Sequence, residues 1–225
     1  MKRITVLLAE DHQIVREGFR SLLKHEEDIE VVGEAETGRQ AVQMNRKLRP
    51  DVIIMDIAMP LLNGMEATRQ IRKEFPATKI LILSAHNDDA YVEQVAGLGA
   101  AGFLLKQTSS HVLAEAIRDV QKGKTVFNPS ISKRLLESGR KSSDGGGLPA
   151  KKGNKLSSRE VEVLQLIAEG KPNKQVASEL GVSFKTVDKH RQHLMGKLNI
   201  HDIAGLTRYA IAEGIIESTV RLTID

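Results

Sequence analysis

The chain of 225 residues contains no cysteine. That excludes disulfide staples, thiolate metal centres, cysteine nucleophiles and thiol redox switches, and it suits a reducing compartment. Long apolar runs are missing as well: no stretch approaches the roughly 18 residues of a membrane span. The run from Ile4 to Ala9 is broken at once by Glu10-Asp11, too short and too quickly charged for a secretory signal. A cytoplasmic protein with no membrane partner is the expectation. An excess of one charge is lacking in the first part, where residues 1–130 hold 17 Lys+Arg against 18 Asp+Glu. The formal net charge of +4 therefore comes from residues 131–150, with 4 against 2, and residues 151–225, with 12 against 9. A nucleic-acid surface, if present, belongs in the last two fifths. What is abundant is ordinary globular material, 40% hydrophobic and 28% charged, in a length that suits two modest domains.

Apolar runs and helical patterns alternate through the first 125 residues. Ile4 to Ala9 precedes a helix over His12 to Lys24, Ile29 to Val32 precedes Arg39 to Leu48, and Val52 to Met55 precedes Met65 to Phe75. Ile80 to Leu83 precedes Ala90 to Leu98, and Gly102 to Leu105 precedes Ser109 to Lys122. Unbroken apolar strands suit a parallel sheet covered on both faces. Val15, Phe19 and Leu22, like Leu113, Ile117 and Val120, recur at helical spacing and offer stripes to such a sheet. Five βα units follow, a doubly wound (βα)5 α/β domain of the flavodoxin-like kind. A short helix over Ile131 to Leu136 leads into a Gly/Ser/Lys-rich linker, Ser138 to Asn154, whose composition cannot offset its ordering entropy. From Leu156 the pattern is wholly helical: a helix capped by Ser157 or Ser158 and stopped by Gly170, then Asn173 to Leu180, Phe184 to Leu198 and Ile203 to Ala212. The division is 1–125, 126–155 and 156–225.

Polar groups stand at the C-terminal ends of four of the strands: Glu10 and Asp11, Asp56, Ser84, and Lys106. In an open α/β sheet that edge is where ligands bind. Three converging carboxylates repel one another and call for a cation, and hard oxygen ligands select Mg²⁺. A nucleophilic carboxylate beside that ion, with a hydroxyl and a lysine at hand for phosphoryl oxygens, is chemistry for forming an aspartyl-phosphate.

Residues 1 to about 125 resemble the receiver domain of two-component response regulators, on Glu10-Asp11, Asp56 with Met59-Pro60 and Asn63-Gly64, Ser84-Ala85, and Leu105-Lys106. The resemblance implies that Asp56 is the phosphoacceptor, that Glu10, Asp11, Asp56 and the Ala58 carbonyl bind Mg²⁺, and that Lys106 pairs with the phosphate. It puts Ser84 and Phe103 at the switch positions. Glu10 stands where Asp is more frequent, and Phe103 replaces a Tyr; as a Phe in an apolar strand, Phe103 is equally a core residue.

The second and third C-terminal helices, joined by Gly181-Val182-Ser183, have the spacing of a helix-turn-helix. Val187, Leu194 and Leu198 make the buried stripe of the third, while Lys185, Asp188, Lys189 and Gln192 lie opposite. Lys189 favours guanine and Gln192 adenine, whereas Asp188 is expected to pair with Lys185 at i,i+3, or else to accept from cytosine. Leu156-Ser157-Ser158-Arg159-Glu160, Ile167-Ala168-Glu169-Gly170, Asn173-Lys174, Lys185-Thr186-Val187, His190-Arg191 and Lys197-Leu198 resemble the LuxR-type helix-turn-helix. Joined to a receiver, that is similar to the NarL/FixJ class of response regulator. The resemblance implies a recognition helix over Phe184 to Leu198, with Lys185, Thr186, Asp188, Lys189, His190 and Gln192 at the DNA, and a final helix that pairs in a homodimer. Its partners are a sensor histidine kinase and double-stranded DNA.

The expected function is a transcription regulator that takes a phosphoryl group at Asp56 and turns over no external substrate. An aspartate-nucleophile phosphatase would need a second acid two residues after the nucleophile, where Ala58 stands. A receiver serving only for dimerisation would have no use for the acidic set. Gly123-Lys124-Thr125 imitates the end of a P-loop but follows a helix, and is expected to be a helix end.

Overall fold

The computed structural model describes residues 3–85, 89–127 and 156–216, with backbone alone at 89–91. The expected short helix Ile131 to Leu136 and the linker Ser138 to Asn154 lie outside these residues. The chain divides into two compact units, Met1–Lys151 and Lys152–Asp225.

In the first unit β1 (Ile4–Ala9), β2 (Ile29–Ala35), β3 (Val52–Asp56), β4 (Lys79–Ser84) and β5 (Gly102–Leu105) form one sheet in the order β2-β1-β3-β4-β5. All four pairings are parallel. Helices α1 (Gln13–Leu23), α2 (Gly38–Leu48), α3 (Gly64–Glu74), α4 (Asp89–Gly97) and α5 (Ser110–Gln121) connect and flank the strands. This is the flavodoxin-like order, whose ligand crevice opens between β1 and β3, where the strand order reverses.

Side chains alternate across each strand. Leu7, Ala9, Ile53, Met55, Ile80 and Ile82 enter the cluster that also holds Ala41, Ala67 and Ile71 of α2 and α3. Val6, Leu8, Val52, Ile54, Leu81 and Leu83 enter the opposite one with Phe19, Leu113 and Ile117 of α1 and α5. Both faces are covered, so the central strand β3 reads as an apolar run up to Asp56, while the edge strand β2 carries Glu30 and Glu34. The stripe of α1 differs from expectation: Arg16, Phe19 and Leu23 are buried, whereas Leu22 is 39% exposed. A buried arginine takes one place on that stripe because it has partners inside, described below. Strand β2 runs three residues past its predicted end, with a register shift between Val6 and Leu7. Gly123, at φ +86, ends α5 as expected of a helix end.

The second unit contains α6 (Ser158–Ala168), α7 (Asn173–Leu180), α8 (Phe184–Leu198) and α9 (Ile203–Ala212). Ser157 is the N-cap of α6, in a capping box with Glu160. Helix α6 is not a one-faced amphipath: Val163, Leu164, Gln165, Leu166 and Ile167 are all buried, because α8 and α9 both pack on it. Gly181, left-handed at φ 62, ends α7 and lets the chain turn through Val182. Ser183 then caps α8 by accepting the Thr186 N–H at 3.1 Å. Among the described residues no helix is long and apolar enough to cross a membrane.

Candidate functional site

Strand register decides which polar groups meet at the C-terminal edge of the sheet. Ala9 pairs with Met55, so Glu10 and Asp56 emerge side by side at the reversal point. Ser84 pairs with Leu105, and the Lys106 N–H donates to the Ser84 carbonyl at 2.8 Å. Glu10, Asp56 and Ser84 are each 3% exposed. Asp11 is partly buried at the mouth, and Ala58 is half-buried on the loop two residues beyond Asp56.

Lys106 Nζ lies 3.0 Å from Asp56 Oδ1 and 2.9 Å from Glu10 Oε2, so one ammonium serves two buried carboxylates. Asp56 Oδ1 also accepts the Ile57 N–H at 2.8 Å. Asp56 Oδ2 is buried and accepts no hydrogen bond. Burial pushes the Asp56 carboxyl above the ordinary aspartate range even though Lys106 opposes it. Burial and then the neighbouring Asp56 do the same to Glu10. Burial alone would lower the Lys106 ammonium, but Asp56 and Glu10 outweigh it and hold that group above its usual value.

The loop after Asp56 explains the Asn63-Gly64 pair. The Gly64 N–H donates to the Ile57 carbonyl at 2.8 Å, and any Cβ at this position would collide with the Asp56 carbonyl oxygen. Asn63 caps α3 by accepting the Glu66 N–H at 2.8 Å. Phe103 is 8% exposed and packs in the same buried cluster as Met55 and Met59. Its ring is a core group here.

Two residues at this edge were not singled out from the sequence. His12 Nδ1 lies 2.8 Å from Asp11 Oδ1 and 3.2 Å from Glu10 Oε1, over the acidic pair. Arg16, 7% exposed, donates to the Glu10 carbonyl at 2.7 Å, to Glu36 at 2.8 Å and to Glu34 at 3.2 Å. It fixes the backbone that carries Glu10 and places a cation behind the acids. Helical spacing puts it in line with Phe19 and Leu23, but the partners that bury it lie outside α1.

In the second unit Val187 and Leu194 are fully buried, while Lys185, Lys189 and Gln192 of α8 are exposed, and Thr186, Asp188 and His190 are half-buried. The Thr186 hydroxyl lies 2.8 Å from the Ser183 hydroxyl, within the cap of the helix. Asp188 is not paired with Lys185: its Oδ2 accepts from Gln192 Nε2 at 3.0 Å. Lys185 on this helix extends into solvent, whereas the Gln192 amide, one turn along, reaches the acid. Arg191 donates to Asn173 at 3.1 Å, tying α8 to the start of α7.

Residues 6–118 match the response regulator receiver domain family, and residues 154–210 match the bacterial regulatory proteins of the luxR family. The chain belongs to the response regulators with a LuxR-type DNA-binding domain. This response regulator is 37% identical over 211 residues to the transcriptional regulatory protein DegU of Brevibacillus brevis, covering 89% of each chain. It is 38% identical over 217 residues to the oxygen regulatory protein NreC of Staphylococcus carnosus, covering 94% of this chain and 99% of NreC. A structure of RcsB from Salmonella typhimurium matches 94% of this regulator and 98% of that chain, with a TM-score of 0.59 at 31% identity. The family is one of DNA-binding regulators, not of classical enzymes, and phosphorylation control is typical of it.

Proposed function

We propose that this regulator is switched by phosphorylation of Asp56. The observation that carries the reading is the pairing of a free, buried Asp56 Oδ2 with an Oδ1 already held by Lys106 and the Ile57 amide. One oxygen is oriented by donors, and the other has no donor to give up when it attacks a phosphorus atom. In the transfer, Asp56 Oδ2 forms the new O–P bond while the P–N bond of a sensor kinase's phosphohistidine breaks, and the imidazole nitrogen leaves with the electron pair. Lys106, already at the carboxylate, offers its N–H groups to the phosphoryl oxygens.

An oxygen-rich site with an unpartnered buried carboxylate oxygen suits a hard cation. Glu10, Asp11, Asp56 and the Ala58 carbonyl are the groups that would hold Mg²⁺, which supplies charge neutralisation for the incoming phosphoryl oxygens. His12, over Glu10 and Asp11, is not part of that oxygen set. Ser84, beside Lys106, is the hydroxyl that follows the phosphate, and movement of Ser84 repacks Phe103 in its buried cluster, the bistable element such a switch needs.

The same reading divides the chain into a receiver at 1–125, a connecting segment at 126–155 and a DNA-binding domain at 156–225. Lys185, Thr186, Asp188, Lys189, His190 and Gln192 line the DNA face of α8, the helix that enters the major groove. The partners are a sensor histidine kinase, double-stranded DNA and a second copy of the chain, in the cytoplasm. RcsB has been solved bound to promoter rprA in the presence of phosphomimetic BeF3−, at 32% identity and a TM-score of 0.55 to this chain, which supports the pairing of the two activities. The test is selection of bound DNA from a random pool, with and without a small phosphodonor. The wild type enriches a two-fold-related operator more strongly with the donor, and Asp56→Ala does not respond; equal enrichment by both proteins overturns the reading.

A further inference from the structure

We propose that Asp188 reads no base and instead positions Gln192, so that the Asp188–Gln192 pair on α8 selects adenine at one base pair of the operator. The proposal rests on the reading of α8 as the helix that faces DNA, and it adds the base and the residue that sets it.

A carboxylate only accepts hydrogen bonds. With Gln192 Nε2 at 3.0 Å from Asp188 Oδ2, the amide nitrogen must face the acid, and the carbonyl Oε1 must face away from it. Gln192 then has one N–H committed and one free. With the N–H anti to Oε1 given to Asp188, the syn N–H and Oε1 lie side by side on the outer edge of the amide. Adenine offers the complement in the major groove, an N7 acceptor next to an N6 donor. Guanine offers two acceptors, one of which would oppose Oε1. Cytosine supplies a donor alone, and thymine an acceptor beside a methyl group.

Without Asp188 the exposed glutamine side chain would rotate and flip freely, and the ordering would have to occur on binding. The lysines do not compete for the acid: neither Lys185 nor Lys189 is ion-paired among the described residues, so both are left for phosphates and for guanine. Folding has no evident need for this row of the helix. Phe184, one turn before Asp188, is 57% exposed, and the buried side of α8 is supplied by Val187 and Leu194.

An acid at a DNA surface also repels phosphate, so the two effects of its removal have opposite signs. Asp188→Ala should bind unrelated DNA more tightly while losing selectivity. Asp188→Asn keeps an acceptor for the Gln192 N–H but adds a donor that Oε1 can take, so it should hold the amide either way round and retain only part of the selectivity.

The experiment uses the full chain with a small phosphodonor, an operator obtained by selection, and single-base variants of it at each position, measured by competition. Wild type prefers adenine at one position by about tenfold over the other bases, and Asp188→Asn prefers it less strongly. Asp188→Ala and Gln192→Ala lose that preference at the same position, and the double variant loses no more than either alone. Circular dichroism melts establish that the variants are folded. Unchanged adenine preference in Asp188→Ala overturns the proposal, as does loss of a cytosine preference at a position that Gln192→Ala leaves intact. A wild-type chain that selects no sequence overturns the underlying reading of α8 as well, and so is told apart from either result.

Discussion

Lys106 Nζ stands 3.0 Å from Asp56 Oδ1, while the second oxygen of that carboxylate is buried and accepts no hydrogen bond. Half of the acid is paired, and half is left without a partner at a cost in stability. Burial raises the Asp56 and Glu10 carboxyls. A carboxyl raised in the folded state holds its proton more tightly there than in the unfolded chain. The contribution of these two carboxyls to stability is therefore greatest below the unfolded pKa and declines as pH rises through the window up to the raised folded value.

Asp56→Asn should consequently be more stable than the wild type at neutral pH, by roughly 1–2 kcal/mol. The amide oxygen can keep the Ile57 N–H and Lys106, and the amide nitrogen turns the orphaned acceptor into a donor facing the remaining acids. Thermal melts read this as a gain of several degrees. A melting temperature equal to or below that of the wild type counts against the strained site described here.

Mg²⁺ should stabilise the wild type by about 1.4 kcal/mol at ten times its Kd, read as a higher melting temperature. Asp11→Asn and Glu10→Gln should each weaken that response, because each removes one anionic oxygen donor from the set. The measurement is a series of melts against Mg²⁺ concentration at fixed ionic strength. A response that survives both substitutions would place the cation elsewhere.

Glu160 accepts from Lys197 Nζ at 2.6 Å and from the Ser157 N–H at 2.7 Å. Burial raises its carboxyl, but Lys197 and Ser157 together outweigh burial and hold it below the ordinary glutamate range. Its contribution is thus present above the unfolded pKa and is lost as pH falls through the lowered folded value. Glu160→Ala should destabilise the second unit by about 1 kcal/mol at neutral pH, and by less in acid. Melts at pH 7 and pH 3.5 distinguish this from a pH-independent packing loss.

Lys185 and Lys189 are exposed on the face of α8 opposite Val187 and Leu194. Each contact with a phosphate releases about one counterion, so each Lys→Ala substitution that removes one should reduce the slope of log affinity against log salt by about 1. Lys189→Ala should in addition change base preference, if Lys189 reaches guanine in place of a phosphate. Identical slopes for wild type and both variants would remove this face from the interface.

The fold was legible because its signals are redundant. Val52 to Met55 is apolar on every residue, as only a doubly covered strand would be, and the helices at Asn173, Phe184 and Ile203 begin and end where their caps stand. The edge residues were legible because strand ends align in a parallel sheet. What escaped was set by tertiary contacts between distant residues. Arg16 is buried because Glu10, Glu34 and Glu36 surround it, and nothing in α1 alone says so. The partner of Asp188 was misassigned because Lys185 at i−3 and Gln192 at i+4 are both within reach, and charge alone favours the lysine. By spacing, Val161, Leu164, Ile167 and Ala168 share one face of α6 and suit a single neighbour, whereas α8 and α9 both pack on it.

The central claim is that Asp56 takes the phosphoryl group. Intact-mass spectrometry after incubation with acetyl phosphate and Mg²⁺ tests it most directly. The wild type should gain one phosphoryl mass, lost again in hydroxylamine, while Asp56→Asn gains none. A phosphoryl adduct of equal yield on the Asp56→Asn protein would contradict the account.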